Sequence, residues 1–322
     1  MAEAYAHTNI ALVKYWGKRP GPLNLPAVGS LSLTLDAFGT WTRVTPGAAT
    51  DTLELNGAPQ AGEAVRKVSA FLDMVRALAG RTEPAAVHSR NDVPTAAGLA
   101  SSASAFAALA VAGCRAYGVN LDARALSALA RRGSGSAARS LFGGFVLMEK
   151  GVREDGTDAC AQPLPAGDGW PVRLVVAACA EGPKEVSSTD GMTHTQHTSP
   201  YFPAWVDTHD ADLRAAADHV RTRDLERLGE VMEFSTLKMH ASAMASRPGV
   251  IYWRGVSLEA ALRVRQLRAA GTPAWFTMDA GPHVKVLTTE QDAPAVAAAL
   301  REVPGVLRVQ VAAPGPAARV LA

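Results

Sequence analysis

Residues 99–117 constrain this chain more than any other stretch. They read Leu-Ala-Ser-Ser-Ala-Ser-Ala-Phe-Ala-Ala-Leu-Ala-Val-Ala-Gly-Cys-Arg-Ala-Tyr, small and apolar on nearly every face. A surface helix keeps a polar side, and this segment has almost none. Its spacing therefore predicts a helix buried on most sides. Such a helix needs neighbours all round it. A chain of 322 residues can supply them as one large domain or two ordinary ones, each with its own core.

Residues 30–35 (Ser-Leu-Ser-Leu-Thr-Leu) alternate polar and apolar and read as a strand, and residues 41–44 are β-prone. Residues 51–55 add a further strand before the Asn56-Gly57 turn. Residues 63–79 carry Val65, Val68, Phe71, Leu72, Val75 and Leu78 at helical spacing and stop at Gly80. A helix over 121–131 ends at Gly133, and 145–149 reads as a strand. Residues 151–171 are rich in Gly, Asp and Pro and mark a domain boundary, dividing the chain into 1–165 and 166–322. Beyond it, 172–178 is the apolar run of a buried strand. Helical patterns over 210–239 and 256–270 precede strands near 275–278, 284–287 and 306–311, with a helix over 292–301. Strands and helices without regular βαβ alternation predict an α+β fold.

Composition narrows the function. A formal net charge of +2 provides no field for a nucleic-acid duplex or an anionic membrane, so neither partner is expected. No stretch of about 18 residues is apolar enough to span a bilayer. The start, Met1-Ala-Glu-Ala-Tyr, lacks a basic and apolar leader. Cys114, Cys160 and Cys179 are odd in number and form no Cys-x-x-Cys pair, which fits a reducing cytoplasm. The phosphate-binding loop Gly-x-x-x-x-Gly-Lys-[Ser/Thr], the Gly-x-Ser-x-Gly elbow and the kinase His-Arg-Asp set are all missing from the sequence.

Five segments carry candidate chemistry. Pro94-Thr-Ala-Ala-Gly-Leu-Ala-Ser-Ser-Ala-Ser104 lets backbone approach a ligand and leads into a helix N-terminus, where phosphate binds well. An ordinary serine cap on a core helix explains it about equally well. Asn9-Ile-Ala-Leu-Val-Lys-Tyr-Trp-Gly-Lys-Arg19 gathers Lys14, Lys18 and Arg19 beside Tyr15 and Trp16 and suits an anion. A solvated basic turn is the commoner explanation, but large aromatics seldom stand in water. Gly133-Ser-Gly-Ser-Ala-Ala-Arg139 offers an arginine fork after a small-residue loop; its dinucleotide-like pattern follows a helix rather than a strand and is weak. Asp279 ends an apolar strand in Phe276-Thr-Met-Asp-Ala-Gly-Pro282, where a turn role is the simpler reading. Lys184-Glu-Val-Ser-Ser-Thr-Asp-Gly-Met192 could contact phosphate or form a plain loop. The nearby His194 and His197 lack a third zinc ligand at standard spacing.

Taken together, these segments resemble the diphosphomevalonate decarboxylase family of the GHMP kinase superfamily. The likeness runs through nearly the whole chain. It is carried by the block at 9–18, by Leu23-Asn-Leu-Pro26 with Ser30-Leu-Ser-Leu-Thr-Leu35, by Pro94 to Ala103, by Gly133 to Gly144 and by Val186 to Met192. The resemblance implies a GHMP kinase fold of two α+β domains, an ATP-binding 1–165 and a ferredoxin-like 166–322, with the active-site cleft between them. It implies ATP-dependent decarboxylation of mevalonate 5-diphosphate to isopentenyl diphosphate through phosphorylation of the C3 hydroxyl. ATP and Mg²⁺ are the implied cofactors and a homodimer the implied assembly.

The family's residues carry over onto matching positions. Asp279 lies beside the C3 hydroxyl, as base or orienter. Lys14 holds Asp279 ionised and balances charge, and Arg139 grips the substrate carboxylate with support from Asn9. By the resemblance, Tyr15, Lys18, Ser187 and Ser188 would hold the diphosphate or neighbouring oxygens, and Asn24 and Ser136 would lie around the substrate. ATP phosphates lie along Pro94, Ala97, Gly98, Leu99, Ala100, Ser101, Ser102 and Ser104, with Ser101 and Ser102 facing Mg²⁺ and Lys67 and Lys184 nearby. Three positions depart from the pattern: Ala100 replaces the usual superfamily Gly, Ala138 precedes Arg139 where some relatives carry Cys, and His283 follows Asp279-Ala-Gly-Pro where Asn is usual.

Relatives that decarboxylate mevalonate 5-phosphate, or only phosphorylate C3, are the nearest alternatives. Simple 3-kinases lack the aspartate and lysine pair that this chain keeps. A non-catalytic nucleotide-binding protein on the same fold is the alternative of another class, and it would have no need of a C3-directed aspartate.

Overall fold

The computed structural model describes residues 1–92, 101–166, 169–182 and 185–321. The chain opens with β1 (Ala2–Val13) and β2 (Ser30–Pro46), then β3 (Thr52–Leu55) and β4 (Ala58–Pro59). Next come α1 (Glu63–Ala79), β5 (Ala85–Asn91), α2 (Ser101–Tyr117) and α3 (Ala123–Gly133). A 3-10 turn (Gly135–Ala138), β6 (Phe145–Met148) and β7 (Ala161–Pro163) complete this half. The second half has β8 (Val172–Ala178), α4 (Ser188–Thr198), α5 (Phe202–Thr222), α6 (Leu225–Met244) and α7 (Gly255–Ala269). It ends with β9 (Ala274–Thr277), β10 (Val284–Thr289), α8 (Ala293–Arg301), β11 (Arg308–Ala312) and β12 (Arg319–Leu321). The mixture of antiparallel sheets and segregated helices is α+β, as expected.

Local rules set many of these bounds. α1 starts on Glu63, whose charge suits the positive helix end, and stops where Gly80 turns left-handed at φ 63°. α3 starts where the Asp122 carboxylate accepts from the Ala125 N–H. The long helical pattern over 210–239 is in fact parts of α5 and α6. Arg223 breaks it at φ 56°, and Asp224 caps α6 by accepting from Arg227 N–H. The segments 30–35 and 41–44 lie on one strand, β2. β1 escapes a period-two reading because its second half is buried on both faces.

The first sheet runs β12-β1-β2-β5-β3-β4, with β6 paired to β2 and β7 to β6. The final strand therefore crosses back to pair with the first. The β1–β2 register shifts between His7 and Asn9 and again between Ala11 and Val13. Irregularities of this kind re-aim side chains; Asn9 lies at the first shift and Lys14 just past the second. The second sheet runs β11-β8-β10-β9, antiparallel throughout, with β10 in its interior.

α2 packs on the first sheet, with Ala103, Ala107, Ala108, Ala110 and Ala112 fully buried, as its composition demands. Another apolar cluster joins the two sheets. Ile10, Leu31 and Leu33 of the first meet Leu174, Val176 and Trp275 of the second, with Leu228 and Met232 of α6 in the same cluster. The two sheets thus share a core instead of meeting across a wet interface, which fixes the groups that project between them.

Candidate active site

A cleft of about 1130 Å³ opens between the two halves. Lys14, Arg139 and Asp279 all line it, although they follow β1, the 3-10 turn after α3 and β9 respectively. Lys14 is 1% exposed, and its Nζ donates to Asp279 Oδ1 at 2.7 Å and to the Ala11 carbonyl at 2.8 Å. Its backbone N–H donates to the Ser235 hydroxyl at 3.0 Å, tying the end of β1 to α6. Burial pushes the Lys14 ammonium down to about 8, although Asp279 opposes the shift.

A second lysine completes the pair. Lys285 Nζ donates to Asp279 Oδ2 at 2.9 Å from a side chain 3% exposed. Burial alone would raise the Asp279 carboxyl, but the two ammonium groups outweigh it and hold the acid far below the usual carboxylate range. Sequence reasoning missed Lys285. Strand alternation was the available signal, because Lys285 of β10 and His283 just before it are two positions apart and both line the cleft. The departure at His283 is seated by a backbone contact: its Nδ1 accepts from Cys179 N–H at 3.1 Å.

Arg139 is buried, and that burial lowers its guanidinium to about 10, which leaves it charged at neutral pH. Its Nη1 donates to the Ser30 hydroxyl at 2.6 Å and its Nε to Asn9 Oδ1 at 3.3 Å. Asn9 also donates to the Ser136 carbonyl at 3.0 Å and the Ser140 hydroxyl at 2.7 Å. The guanidinium carbon lies 5.9 Å from the Tyr15 ring centre. Among the described residues, no carboxylate is hydrogen-bonded to Arg139.

Around this centre stand Tyr15, Lys18, Asn24, Lys67, Ser102, Ser136 and Ser188, all lining the same cleft. Burial lowers the Lys18 ammonium, and Lys67 adds to the effect. Asn24 takes a left-handed backbone at φ 53° and donates to the Arg131 carbonyl at 2.7 Å. Lys67 is exposed and paired with Glu63 at 2.6 Å. Trp16 is buried against Tyr252, and its carbonyl accepts from Trp205 Nε1 at 3.0 Å. The block at 9–18 is therefore no solvated turn.

Two expected contacts go elsewhere. Ser104 is fully buried with its hydroxyl beside those of Thr8 (3.3 Å) and Thr40 (2.8 Å), so it fastens α2 to the sheet and lies outside the cleft lining. The Ser187 hydroxyl caps α4, accepting from Asp190 N–H at 3.1 Å and donating to the Asp190 carboxylate at 2.7 Å. Pro94, Ala97, Gly98, Leu99, Ala100 and Lys184 lie outside the described residues, and Ser101 is described only as the first residue of α2.

Among the described residues, no group of three or more His, Cys, Asp or Glu gathers to hold a metal ion. The cleft offers cations and hydroxyls, with Ser134 donating to Ser102 at 3.4 Å, and the one carboxylate among its described lining residues is already taken by two lysines. That donor set suits a divalent ion carried on nucleotide phosphates, with Ser102 as a hydroxyl partner. Among the described residues, no helix is long and apolar enough to cross a membrane.

Comparison with known proteins adds to this geometry. Residues 6–161 match the model of the diphosphomevalonate decarboxylase-like N-terminal domain, and residues 174–311 that of the mevalonate 5-diphosphate decarboxylase C-terminal domain. The diphosphomevalonate decarboxylase of Aspergillus fumigatus is 36% identical, over 94% of this chain and 80% of that protein. The structure of mevalonate diphosphate decarboxylase from Staphylococcus aureus superposes with a TM-score of 0.94 at 38% identity, covering 100% of this chain and 98% of that one. MDDEF in complex with MVAPP, AMPPCP and magnesium superposes with a TM-score of 0.93 at 44% identity, covering 99% of this chain and 98% of that one.

Proposed function

Because the chain belongs to the diphosphomevalonate decarboxylase family, we propose that its cleft carries out the ATP-dependent decarboxylation of mevalonate 5-diphosphate. The products are isopentenyl diphosphate, ADP, phosphate and CO₂. The convergence of Asp279, Lys14 and Arg139 in one cleft supports this reading more than any other observation.

Asp279 accepts a hydrogen bond from the C3 hydroxyl and aims its oxygen at the γ-phosphorus of ATP. Lys14 keeps the aspartate charged and offsets charge that develops during transfer. Arg139, already braced by Asn9 and Ser30, grips the substrate carboxylate. Held there, the carboxylate loses CO₂ as the C3 phosphate departs. Tyr15, Lys18, Asn24, Ser136 and Ser188 hold the diphosphate end. Ser102, at the start of α2, faces the nucleotide phosphates, where the helix dipole favours anions. Mg²⁺, when bound with ATP, neutralises phosphate charge; the protein supplies position and cations.

We further infer a homodimer working in a reducing cytoplasm. The three cysteines are free and buried, which supports that compartment. Domains at 1–165 and 166–322 remain the working division, with the last strand shared back to the first sheet.

The deciding experiment measures ATP-dependent CO₂ release from mevalonate 5-diphosphate, with mevalonate 5-phosphate and mevalonate in parallel. Release from the diphosphate alone is the expected result. Release from the monophosphate, or ADP without CO₂, would overturn the assignment of substrate or reaction.

A further inference from the structure

The Asp279 carboxylate is gripped at both oxygens by lysines that reach it from different sheets. Lys14 follows β1 of the first sheet, and Lys285 belongs to β10 of the second. Both ammonium groups are buried, and one carboxylate between them leaves one cation more than anion. Burying an ammonium costs several kcal/mol unless it is well paired, so each lysine depends on the same aspartate. The carboxylate in turn has no rotational freedom left, because each oxygen is tied to a different sheet.

A carboxylate oxygen accepts more than one hydrogen bond, so Asp279 can still receive a substrate hydroxyl. It is poorly placed to keep a proton, because an added hydrogen would compete with two ammonium donors. Lys14, Lys285, Arg139 from the turn after α3, His240 from α6 and His283 beside β10 are the charged and titratable groups around it.

We propose that Lys285 is a positioning residue for phosphoryl transfer, which together with Lys14 locks Asp279 as a fixed, ionised acceptor that orients the C3 hydroxyl without retaining its proton. This inference rests on the activity proposed above. In that step a lone pair of the C3 oxygen forms the bond to the γ-phosphorus. The bond from phosphorus to the bridging oxygen breaks, and its electron pair leaves on ADP. The hydroxyl proton ends on an oxygen of the transferred phosphoryl group. Lys285 takes no atom in this exchange; it keeps the acceptor ionised and aimed.

The test compares Lys285→Met, which keeps the stem and removes the charge, with Lys285→Arg, which keeps the charge. In Lys285→Met we expect kcat to fall about 10- to 100-fold with KM for both substrates within about twofold, the loss typical of a misplaced reacting group. Lys285→Arg restores most of that loss. The acid limb of the kcat profile moves to higher pH in Lys285→Met, because one of the two cations depressing the aspartate is gone. Carbon-13 NMR of the labelled Asp279 carboxylate gives the same readout without turnover, as a titration at higher pH in Lys285→Met than in the parent. That arm stands even if the parent protein releases no CO₂, a result that would sink the proposed activity alone. An unshifted carboxylate titration, or a KM that rises while kcat holds, would overturn the positioning role, the latter by making Lys285 a direct substrate contact.

Discussion

The Nε of Arg139 donates to the Oδ1 of Asn9 at 3.3 Å, and the same asparagine donates to the Ser140 hydroxyl and the Ser136 carbonyl. The arginine that faces the cleft is thus oriented by a buried amide which is itself held by residues on either side of Arg139. Replacing Asn9 by Leu removes the acceptor and leaves a buried guanidinium short of a partner, at about 1–3 kcal/mol. We expect the variant to melt lower and to lose about 10- to 100-fold in kcat/KM for the carboxylate substrate, with ATP affinity little changed. Steady-state kinetics with each substrate varied in turn, beside a denaturation curve, checks both parts.

Asp279 neutralises two buried lysines as well as lining the cleft. Asp279→Asn keeps the shape and removes the charge, and turnover is expected to fall about 10²- to 10⁴-fold while nucleotide binding stays intact. Asp279→Ala also leaves two ammonium groups without a counter-ion and should cost about 3–5 kcal/mol of stability. Unimpaired turnover in Asp279→Asn, measured by coupled ADP release, would reduce the residue to a turn former.

The depressed Lys14 ammonium predicts opposite pH trends for activity and stability. As pH rises through about 8, Lys14 loses its proton, its hold on Asp279 weakens, and kcat declines. Its folded value lies below the 10.5 of an ordinary lysine, so between these pH values the unfolded chain binds more protons. The contribution of Lys14 to folding stability therefore rises with pH across that window and is least favourable below it. Denaturant midpoints and kcat measured between about pH 7 and 10 test the pair of trends, and Lys14→Met should remove this contribution to both.

Gly135 lies where a Cβ would collide with the Tyr15 hydroxyl. The backbone there is not left-handed, so the constraint is space alone. Gly135→Ala should push Tyr15 into the cleft, raising KM for mevalonate 5-diphosphate several-fold and costing about 1–3 kcal/mol by overpacking. Tyr15→Phe in the same background removes only the hydroxyl and leaves the ring carbons in the way of the Cβ, so it is expected to recover little stability, whereas Tyr15→Ala clears the space.

Much of this architecture is written locally. The period of α1, the Asp122 cap of α3 and the apolar run of β8 are each set by residues within a few positions of one another. Elements that depend on distant neighbours were harder to read. β1 is buried on both faces along its second half and shows no clean alternation there, and α4 is polar along most of its length. The division of 210–239 turns on a single left-handed Arg223, which no glycine announces.

The site divides in the same way. The residue types of the cleft, Lys14, Arg139 and Asp279 among them, stand in blocks long enough to be recognised in the bare sequence. Their chemistry does not. Lys14 and Asp279 are 265 positions apart, and their coupling depends on a separation of 2.7 Å that only packing of the two sheets creates. The same packing brings Lys285 to the second oxygen and sends the Ser104 hydroxyl into the helix–sheet interface. Side-chain periodicity is a property of neighbours along the chain, so the sequence alone determined which groups are present and which helices and strands carry them. Electrostatic coupling and desolvation depend on distance through space, so tertiary structure decided which of those groups share a charge, a proton or a substrate.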